Sequence, residues 1–454
     1  MNGVKVTLIG GGGARTPLLL HGLAQAQSVL NVREVALYDV SRPAAELMAS
    51  VGREIVRNNR ADFELKTPDT LEGAIEGAHF VLSSIRVGGI EARARDERLI
   101  IDQGLVGQET TGPGGLAMAL RTVPIALAHA HLIERLAPEA WLINFTNPAG
   151  LITQALMTHS TVRVIGICDT PSELFHRIAW SLGLPFEDLE FVYSGLNHLG
   201  WVQRVLLRGE DITTRLLNDD EALLRLYPAR LFEPEMIRTL GLIPSEYLFY
   251  YYAKTRAFRN QRTAGASRGE EIRSLNTDLF QRMRSDPAEA LTIYKNYLNQ
   301  RNASYMRLEA HAESARDQGP QDWNPFEAAT GYHRIALDVM TALSGDTSRR
   351  VVVNVHNHGA IEDLHPFDVV EVPCLINRHG PEPVQTGGLP ESVKGLVWAV
   401  KGYEHLAIRA AVERSFDLAR LALMVYPTVG EWSTATDVMR ALVDCDPDNL
   451  GYLT

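Results

Sequence analysis

Two adjacent residues in the stretch VIGICDTPSE, residues 164–173, have side chains that can do chemistry. The apolar run predicts a buried strand, so Cys168 and Asp169 follow at its carboxyl end, where open parallel sheets bind their ligands. A thiolate there can ligate a metal ion, and a carboxyl group can transfer a proton. Free cysteine is also among the most buried residue types, so residue type alone favours a structural role for Cys168.

The glycine-rich stretch LIGGGGARTP, residues 8–17, follows a predicted strand and opens a predicted helix. Backbone amides and a helix amino terminus in this arrangement can bind a pyrophosphate. Gly10 and Gly12 occupy the first two glycine positions of the dinucleotide fingerprint, and the third position falls on Arg15. Asp39 lies in the next predicted strand, EVALYDV, where an acid bonds the adenosine ribose and repels a 2'-phosphate. This combination predicts an NAD site rather than an NADP site.

Predicted strands and predicted helices alternate along the first 195 residues, and these elements must position the residues named above. VKVTLIG and EVALYDV are β-rich, and each is followed by a longer helical pattern. Such alternation predicts an α/β fold with a Rossmann-type parallel sheet. After about residue 195 the pattern changes to strand and turn and then to long helical stretches. We therefore predict an NAD-binding Rossmann-type domain over residues 1–195 and a second, α+β domain over residues 196–454.

The amino-acid composition disfavours some classes of binding partner. The 454 residues carry a formal net charge of -11, which disfavours nucleic acid and anionic membranes because both require a basic surface. The amino terminus lacks the pattern of a signal peptide, and no run of 18 apolar residues predicts a membrane span. Three widely spaced cysteines do not describe a disulfide framework. We expect a cytoplasmic enzyme with a small-molecule substrate.

Several long motifs in order resemble glycoside hydrolase family 4 over nearly the whole chain. They are IRVGGIEARARDERLIIDQGLVGQETTGPGGLAMALRTVP, NFTNPAG, GICDTP, GLNHLGW, IPSEYLFYYY and VVEVPCLINRHGPEPVQTGGLP. The resemblance implies a glycosidase that depends on NAD and on a divalent metal, usually Mn²⁺, an exception to hydrolysis by two carboxylates. It also implies a fold like that of lactate and malate dehydrogenases, with substrate, metal and oligomer contacts in the second domain. Many members act on 6-phosphoglucosides.

The resemblance assigns roles to four residues. Cys168 of GICDTP and His198 of GLNHLGW would hold the metal, and substrate hydroxyls would complete its coordination. Tyr247 of IPSEYLFYYY would be the base at sugar C2, although the cluster at 247–252 leaves the choice of tyrosine open. Asp169 would be the acid that protonates the leaving group. NAD⁺ would oxidise C3, elimination would follow loss of the C2 proton, and after addition of water the retained NADH would reduce C3.

Three further residues match family positions that contact the sugar. These are Arg93 of GGIEARARDE, Asn147 of NFTNPAG and Arg268 of ASRGEE. Arginine suits a 6-phosphate because its guanidinium binds phosphate oxygens in pairs, but Arg268 could equally pair with Glu270. Glu109 lies in the glycine-rich GQETTGPGG and receives no role.

The substrate is less sharply defined than the chemistry. Family members selective for phospho-α-glucosides carry Cys-Asp-Met-Pro and those selective for phospho-β-glucosides carry Cys-Asn-Val-Pro, whereas this chain has Cys-Asp-Thr-Pro. The flanking GLNHLGW and IPSEYLFYYY resemble the β-type, so we predict a 6-phospho-β-glucosidase. A 6-phospho-α-glucosidase, a dual-anomer enzyme and a glycosidase of unphosphorylated sugars stay open, as does the aglycone.

Two other classes of protein compete with this interpretation. An NAD-dependent 2-hydroxy acid dehydrogenase would carry a His-Asp pair and an arginine clamp, and Cys168 and His198 would then be structural. An NAD-sensing regulator would lack the metal and tyrosine constellation, and no DNA-binding pattern supports it. By resemblance we expect a homodimer or a homotetramer.

Overall fold

The computed structural model describes residues 3–227, 230–306, 326–328 and 330–453. Thirteen strands in these ranges form two sheets. In chain order they are β1 (Val4–Ile9), β2 (Val32–Tyr38), β3 (Glu64–Lys66), β4 (Phe80–Ser83), β5 (Trp141–Asn144), β6 (Arg163–Gly166), β7 (Leu189–Leu196), β8 (Leu199–Leu207), β9 (Glu210–Asp211), β10 (Ile243–Pro244), β11 (Arg349–His356), β12 (Val369–Asn377) and β13 (Gly380–Pro383).

The larger sheet has nine strands in the order β13-β12-β11-β6-β5-β4-β1-β2-β3. Strands β1 to β6 are all parallel, and helices cross over between them. Strand β1 is buried along its whole length, as expected for an apolar run covered on both faces. The predicted fold class, an α/β fold with a Rossmann-type parallel sheet, is confirmed.

Three strands of the carboxyl-terminal half extend this sheet. Strand β11 runs antiparallel to β6, with Asn354 opposite Gly166, and β12 and β13 follow as further antiparallel neighbours. Valines of β11 and β12 belong to the same apolar core as β1 and β4. The alternation in the first half of the sequence carries no signal for these three strands. The division at residue 195 stays a prediction.

The smaller sheet is built on the hairpin of β7 and β8. Leu196 pairs with Leu199, so only Asn197 and His198 form the hairpin loop. Strand β10 pairs with one edge of β8, and β9 pairs with the end of the same strand. This hairpin places GLNHLGW beside the carboxyl end of β6.

Twenty α-helices in the described ranges surround the sheets. They are α1 (Thr16–Gln25), α2 (Gln27–Leu30), α3 (Arg42–Asn58), α4 (Leu71–Ile75), α5 (Gly89–Asp102), α6 (Gly112–Leu136), α7 (Ala149–His159), α8 (Thr170–Leu182), α9 (Thr213–Leu217), α10 (Asp220–Arg225), α11 (Pro234–Leu240), α12 (Phe249–Tyr252), α13 (Lys254–Ala264), α14 (Arg268–Ser285), α15 (Ala290–Ala303), α16 (Tyr332–Ser344), α17 (Glu391–Glu413), α18 (Phe416–Val425), α19 (Trp432–Cys445) and α20 (Pro447–Leu450). Helix α6 is long and apolar enough to cross a membrane, but 67% of its most apolar window is buried inside the protein. It is a core helix packed against α5, α7 and α17.

Candidate active site

The strand order places the site at the carboxyl edge of the parallel sheet. The sheet grows from β1 towards β2 on one side and towards β4 on the other, which makes the β1/β4 junction its topological switch point. Open α/β sheets bind ligands in the crevice beyond the strand ends at such a point. The glycine loop follows β1, and Cys168 follows β6 on the same edge.

The glycine loop forms a cradle that fits a dinucleotide. Gly10 has a φ of 88°, and a Cβ there would overlap the carbonyl oxygen of Ser84 at the end of β4. The amide of Gly12 donates to Asp39 Oδ2 at 2.9 Å, and a Cβ on Gly12 would lie 2.8 Å from the Ala44 Cβ. Glycine at these two positions therefore allows the loop to pack closely against the end of β4 and the start of α3. The three predicted cofactor residues are therefore brought together.

A groove of about 880 Å³ lies beyond the ends of β2 and β4, and Ala44, which packs beside Gly12, is one of its lining residues. Ser41 of the loop after β2 and Glu91 of α5 line one wall. Phe280 and Arg284 of α14 line the opposite wall. The Rossmann-type half thus supplies the glycine loop, and α14 of the carboxyl-terminal half lines the groove near it.

The predicted metal pair is assembled at the end of β6. Cys168 Sγ lies 3.4 Å from His198 Nε2, and both side chains are buried. Burial raises the pKa of the Cys168 thiol and lowers that of His198 to about 3, so the imidazole stays neutral. The separation allows one ion to contact both atoms. A metal ion held by these two side chains would have further coordination positions for oxygens of a substrate.

The loop GQETTGPGG fixes which nitrogen of His198 faces the thiol. The Thr110 hydroxyl donates its single proton to Gln108 Oε1 at 2.9 Å. It must therefore accept from His198 Nδ1, 3.0 Å away, which leaves the Nε2 lone pair directed at Cys168. Holding the second ring nitrogen in this way is how proteins orient histidine ligands. No pattern in the sequence indicates this role for the loop.

Unusual backbone geometry holds His198 in place. Its φ is 61°, in the left-handed region that residues other than glycine adopt uncommonly, with Asn, Asp and His the most frequent among them. Next to it, Gly195 and Gly200 face each other across the hairpin, and a Cβ on Gly200 would overlap the Tyr193 hydroxyl. Local strain of this kind concentrates at functional sites.

A buried carboxylate lies behind the hairpin. Glu371 of β12 accepts hydrogen bonds from the Tyr193 hydroxyl at 2.9 Å, Asn197 Nδ2 at 2.9 Å and Asn354 Nδ2 at 3.1 Å. Burial raises the pKa of Glu371 to about 7 despite these three donors. Glu371 thus ties β7, the hairpin loop and β11 together. In the sequence, Glu371 is the single acid inside the apolar run VVEVPC, and this is the one feature that could have indicated a buried carboxylate.

The predicted acid and base flank the metal pair, and both are partly exposed. Asp169 follows Cys168 directly, and desolvation raises its pKa to about 6 although Arg15 acts against the rise. The Tyr247 ring stacks on His198 with centroids 3.7 Å apart and an angle of 5° between the rings. Burial, followed by Glu246, raises the pKa of Tyr247. Tyr247 therefore requires a nearby cation to act as a base near neutral pH.

The other tyrosines of the cluster have different surroundings. The Tyr250 hydroxyl donates to Met306 Sδ at 3.8 Å, and Tyr251 pairs with Tyr426 through their hydroxyls. Tyr252 lies at the surface. Of the four tyrosines at 247–252, only Tyr247 has a ring contact with the Cys168–His198 pair within the described residues. The geometry therefore favours Tyr247 as the base.

A cluster of arginines lies on the other side of the GQETTGPGG loop. Arg93 donates to Glu97 at 2.8 Å and forms an ion pair with Glu109 at 2.6 Å, and Arg86 pairs with the same Glu109. Burial and the neighbouring Arg93 and Arg301 lower the pKa of Arg86, as expected where positive charges crowd together. Such a cluster suits a phosphate group, which would bring compensating negative charge.

Arg268 is held close to this cluster. Glu97 Oε2 accepts from the amide of Gly269 at 2.5 Å, so the carboxylate that binds Arg93 also binds the first turn of α14. Arg268 itself pairs with Glu271 at 2.6 Å and donates to Ser304 Oγ at 2.7 Å. Its alternative partner Glu270 instead caps α14 and pairs with Arg98.

Asn147 follows β5, next to the end of β6. Its Oδ1 is buried without a hydrogen-bond partner among the described residues. An unpaired buried carbonyl oxygen is costly unless a ligand donates to it, and a sugar hydroxyl is such a donor. The structure thus groups the predicted catalytic, metal and sugar-contacting residues on one edge of the sheet.

Comparison with known proteins agrees with this geometry. The model described as family 4 glycosyl hydrolase matches residues 5–184, and the model of the family 4 glycosyl hydrolase C-terminal domain matches residues 193–429. The chain is 30% identical over 453 residues to a protein named "Probable 6-phospho-beta-glucosidase" of Bacillus subtilis (strain 168), covering 97% of this chain and 96% of that protein.

Solved structures give the same result. The 6-phospho-beta glucosidase from Thermotoga maritima with NAD and glucose-6-phosphate has a TM-score of 0.84 at 27% identity, covering 98% of this chain and 99% of that one. A second crystal structure of that enzyme also contains manganese. A 6-phospho-alpha-glucosidase from gut microorganisms, with NAD and glucose-6-phosphate, has a TM-score of 0.81 at 25% identity and covers 100% and 99% of the two chains. With both family models matched in order over the glycine loop, the Cys168–His198 pair and the arginine cluster, the chain belongs to family 4 of the glycosyl hydrolases.

Proposed function

We propose that the chain is an NAD- and Mn²⁺-dependent 6-phospho-β-glucosidase. The observation that carries the proposal is the Cys168–His198 pair, with Asp169 and Tyr247 on its two sides, at the sheet edge that also holds the dinucleotide cradle. When bound, NAD supplies a hydride acceptor for sugar C3 and the metal ion supplies a Lewis acid for the sugar oxygens.

Residues of the chain carry out the proton transfers and bind the substrate. Tyr247 takes the C2 proton, and Asp169 gives its proton to the glycosidic oxygen as the bond to C1 breaks. A pKa of about 6 keeps a substantial fraction of Asp169 protonated at mildly acidic pH. Arg93 and Arg268 bind the 6-phosphate, and Asn147 accepts from a sugar hydroxyl.

The proposed β preference rests on the relatives. Three relatives named 6-phospho-beta-glucosidases are 28% to 31% identical to the chain. Five relatives named phospho-alpha-glucosidases or maltose-6'-phosphate glucosidases are 24% to 27% identical. A 6-phospho-α-glucosidase is the second candidate, because Asp169 follows Cys168 here and the α-selective signature Cys-Asp-Met-Pro has an acid at that position.

A panel of chromogenic glucosides tests the proposal. Nitrophenyl α- and β-glucosides, each with and without a 6-phosphate, are incubated with the purified chain, NAD⁺ and Mn²⁺. We expect nitrophenol release from the 6-phospho-β-glucoside, its loss on adding a chelator, and no net NADH. Faster release from the α-anomer would establish the second candidate, and stoichiometric NADH without nitrophenol would refute both.

We also propose that the chain assembles as a homodimer or a homotetramer. Large apolar side chains are exposed on its carboxyl-terminal helices, among them Trp398 of α17, Met424 of α18 and Trp432 of α19. Apolar side chains exposed on neighbouring helices are typical of subunit contacts. Light scattering on the eluting protein gives the mass, and a monomer would contradict this proposal.

A further inference from the structure

Glu97 of α5 joins the two halves of the chain beside the arginine cluster. Its side chain is 1% exposed, and its Oε1 accepts a hydrogen bond from Arg93 Nε at 2.8 Å. Its Oε2 accepts a hydrogen bond from the backbone amide of Gly269 at 2.5 Å, in the first turn of α14. The Arg93 guanidinium and the backbone next to Arg268 are therefore separated by the width of one carboxylate group.

The backbone packs closely around this turn of α5. A Cβ on Gly269 would lie 2.9 Å from Glu97 Oε2 and 3.0 Å from the Ala94 Cα, and a Cβ on Gly107 would overlap the Glu97 carbonyl oxygen. Gly107 also exchanges two hydrogen bonds with the side chain of Gln261 in α13, at 3.0 and 2.9 Å. Three segments from both halves of the chain thus meet at Glu97, which leaves its carboxylate little freedom to move.

The two arginines depend on Glu97 in different ways. Arg93 uses Nε for Glu97 and Nη1 for Glu109, which leaves the Nη2 hydrogens for a ligand. Because the guanidinium is planar, fixing Nε and Nη1 also fixes the direction of Nη2. Arg268 precedes Gly269, so the bond from Glu97 to the Gly269 amide fixes the backbone that carries Arg268.

We propose that Glu97 is a positioning residue that sets the spacing of Arg93 and Arg268 for the 6-phosphate of the substrate. The proposal rests on the function proposed above, and it gives Glu97 a role in selectivity for phosphorylated sugars. Both carboxylate oxygens already accept N–H groups and the side chain is buried, so Glu97 acts through the arginines. Two arginines held in place bind a phosphate more tightly than two mobile ones, because they lose less conformational freedom on binding.

E97Q tests this role, because glutamine keeps the size of the side chain and removes its charge. An amide has one oxygen, so its NH2 group must face either Arg93 Nε or the Gly269 amide, and two donors then oppose each other. We expect the dissociation constant of glucose-6-phosphate to rise at least about tenfold and that of glucose to stay within about twofold of wild type. Calorimetric titration with NAD⁺ and Mn²⁺ present measures both constants.

Steady-state kinetics give a second readout. The substrate is the nitrophenyl 6-phospho-β-glucoside, or its α-anomer if the wild type prefers that. In E97Q, KM should rise about as much as the dissociation constant of glucose-6-phosphate, and kcat should stay within about threefold of wild type. A purely structural role would instead reduce the fraction of active enzyme, which lowers kcat and leaves KM unchanged.

A second variant reaches the same link from the other side. G269A keeps the carboxylate and places a methyl group against it, which moves the first turn of α14 away from α5. It should weaken binding of glucose-6-phosphate more than binding of glucose. G269A decides the question if E97Q does not fold.

Glu404 offers a matched control. It is a buried carboxylate of α17 that pairs with Lys401, and Lys401 also donates to the Val369 carbonyl at 2.7 Å. E404Q breaks a buried ion pair outside the arginine cluster, so the ratio of the two dissociation constants should equal that of the wild type.

A wild-type ratio in E97Q, or in G269A where E97Q does not fold, would overturn the proposal. An equal change of the ratio in E404Q would overturn it as well. Failure of the proposed function would look different, since the wild type would then bind glucose-6-phosphate no more tightly than glucose or release no nitrophenol.

Discussion

At the scale of single residues, Cys168 and His198 define where the metal binds. We predict that C168S lowers the affinity for Mn²⁺ at least about tenfold, because the hydroxyl is a much poorer ligand than a thiolate. Calorimetric titration measures the affinity, and C445S, which changes a cysteine outside the site, should bind as the wild type does. Equal affinity in C168S and C445S would exclude Cys168 as a ligand.

Glu371 gives the folded protein a distinctive pH dependence. Its pKa is raised from an ordinary 4.5 to about 7, chiefly by burial, so the folded state retains a proton that the unfolded state loses near pH 4.5. Stability from this group is therefore present at low pH and is lost as pH rises towards 7. The loss amounts to at most about 3 kcal/mol.

E371Q isolates this effect, because glutamine is neutral throughout. The free energy of unfolding of the wild type minus that of E371Q should fall between pH 5 and pH 7.5, measured with chelator and without NAD⁺. E190Q, a change at an exposed carboxylate of β7, should show no such trend. A difference that is flat or rises with pH would show that Glu371 is ionised in the folded state.

The site residues that lie in sequence motifs could be predicted from the sequence. The residues that contact them in the fold could not. Cys168, His198, Gly10 and Asp39 lie in local patterns that recur in sequence. The contacts made by Arg15, Tyr332 and Glu371 join residues that lie far apart in the chain. Local sequence patterns carry no information about such contacts. Tyr332 in particular approaches Cys168 only because α16 packs beside the end of β5.

At the scale of elements, the β7–β8 hairpin positions His198. A Cβ at Gly200 would overlap the Tyr193 hydroxyl, whose hydrogen bond to Glu371 braces the hairpin. We predict that G200A destabilises the fold by about 1–3 kcal/mol and weakens Mn²⁺ binding. Denaturant unfolding and metal titration measure the two effects.

Gly395 provides the control for this change. It lies inside α17, and apart from the backbone of its own helix no atom lies within 4 Å of the point where an alanine methyl group would stand. G395A should be neutral or stabilise the protein by up to about 1 kcal/mol, because alanine favours helix. If G200A behaves like G395A, the hairpin does not depend on the glycine pair.

The strands of the first half were predictable because apolar runs alternate with helical patterns there. The three antiparallel strands that extend the sheet were not assigned to it. Strand β11 meets β6 about 190 residues further along the chain, and its sequence, RRVVVNVH, would suit any buried sheet. Pairing over such a distance is decided by packing and leaves no local signal.

At the scale of the whole molecule, the shared sheet couples the two halves. One apolar core contains residues of β1 and β4 together with residues of β11, β12 and α17. We predict a single calorimetric unfolding transition that moves to higher temperature as a unit when NAD⁺ is added. Two transitions, with only one shifted by NAD⁺, would indicate that the predicted domains 1–195 and 196–454 unfold independently.

Hydrolysis of the preferred 6-phosphoglucoside in D2O tests the central claim most directly. Removal of the C2 proton by Tyr247 and return of a solvent proton predict glucose-6-phosphate with deuterium at C2, formed without net NADH. Mass spectrometry and proton resonance locate the label. A product that retains hydrogen at C2 would contradict the account, because direct displacement at C1 never breaks that bond.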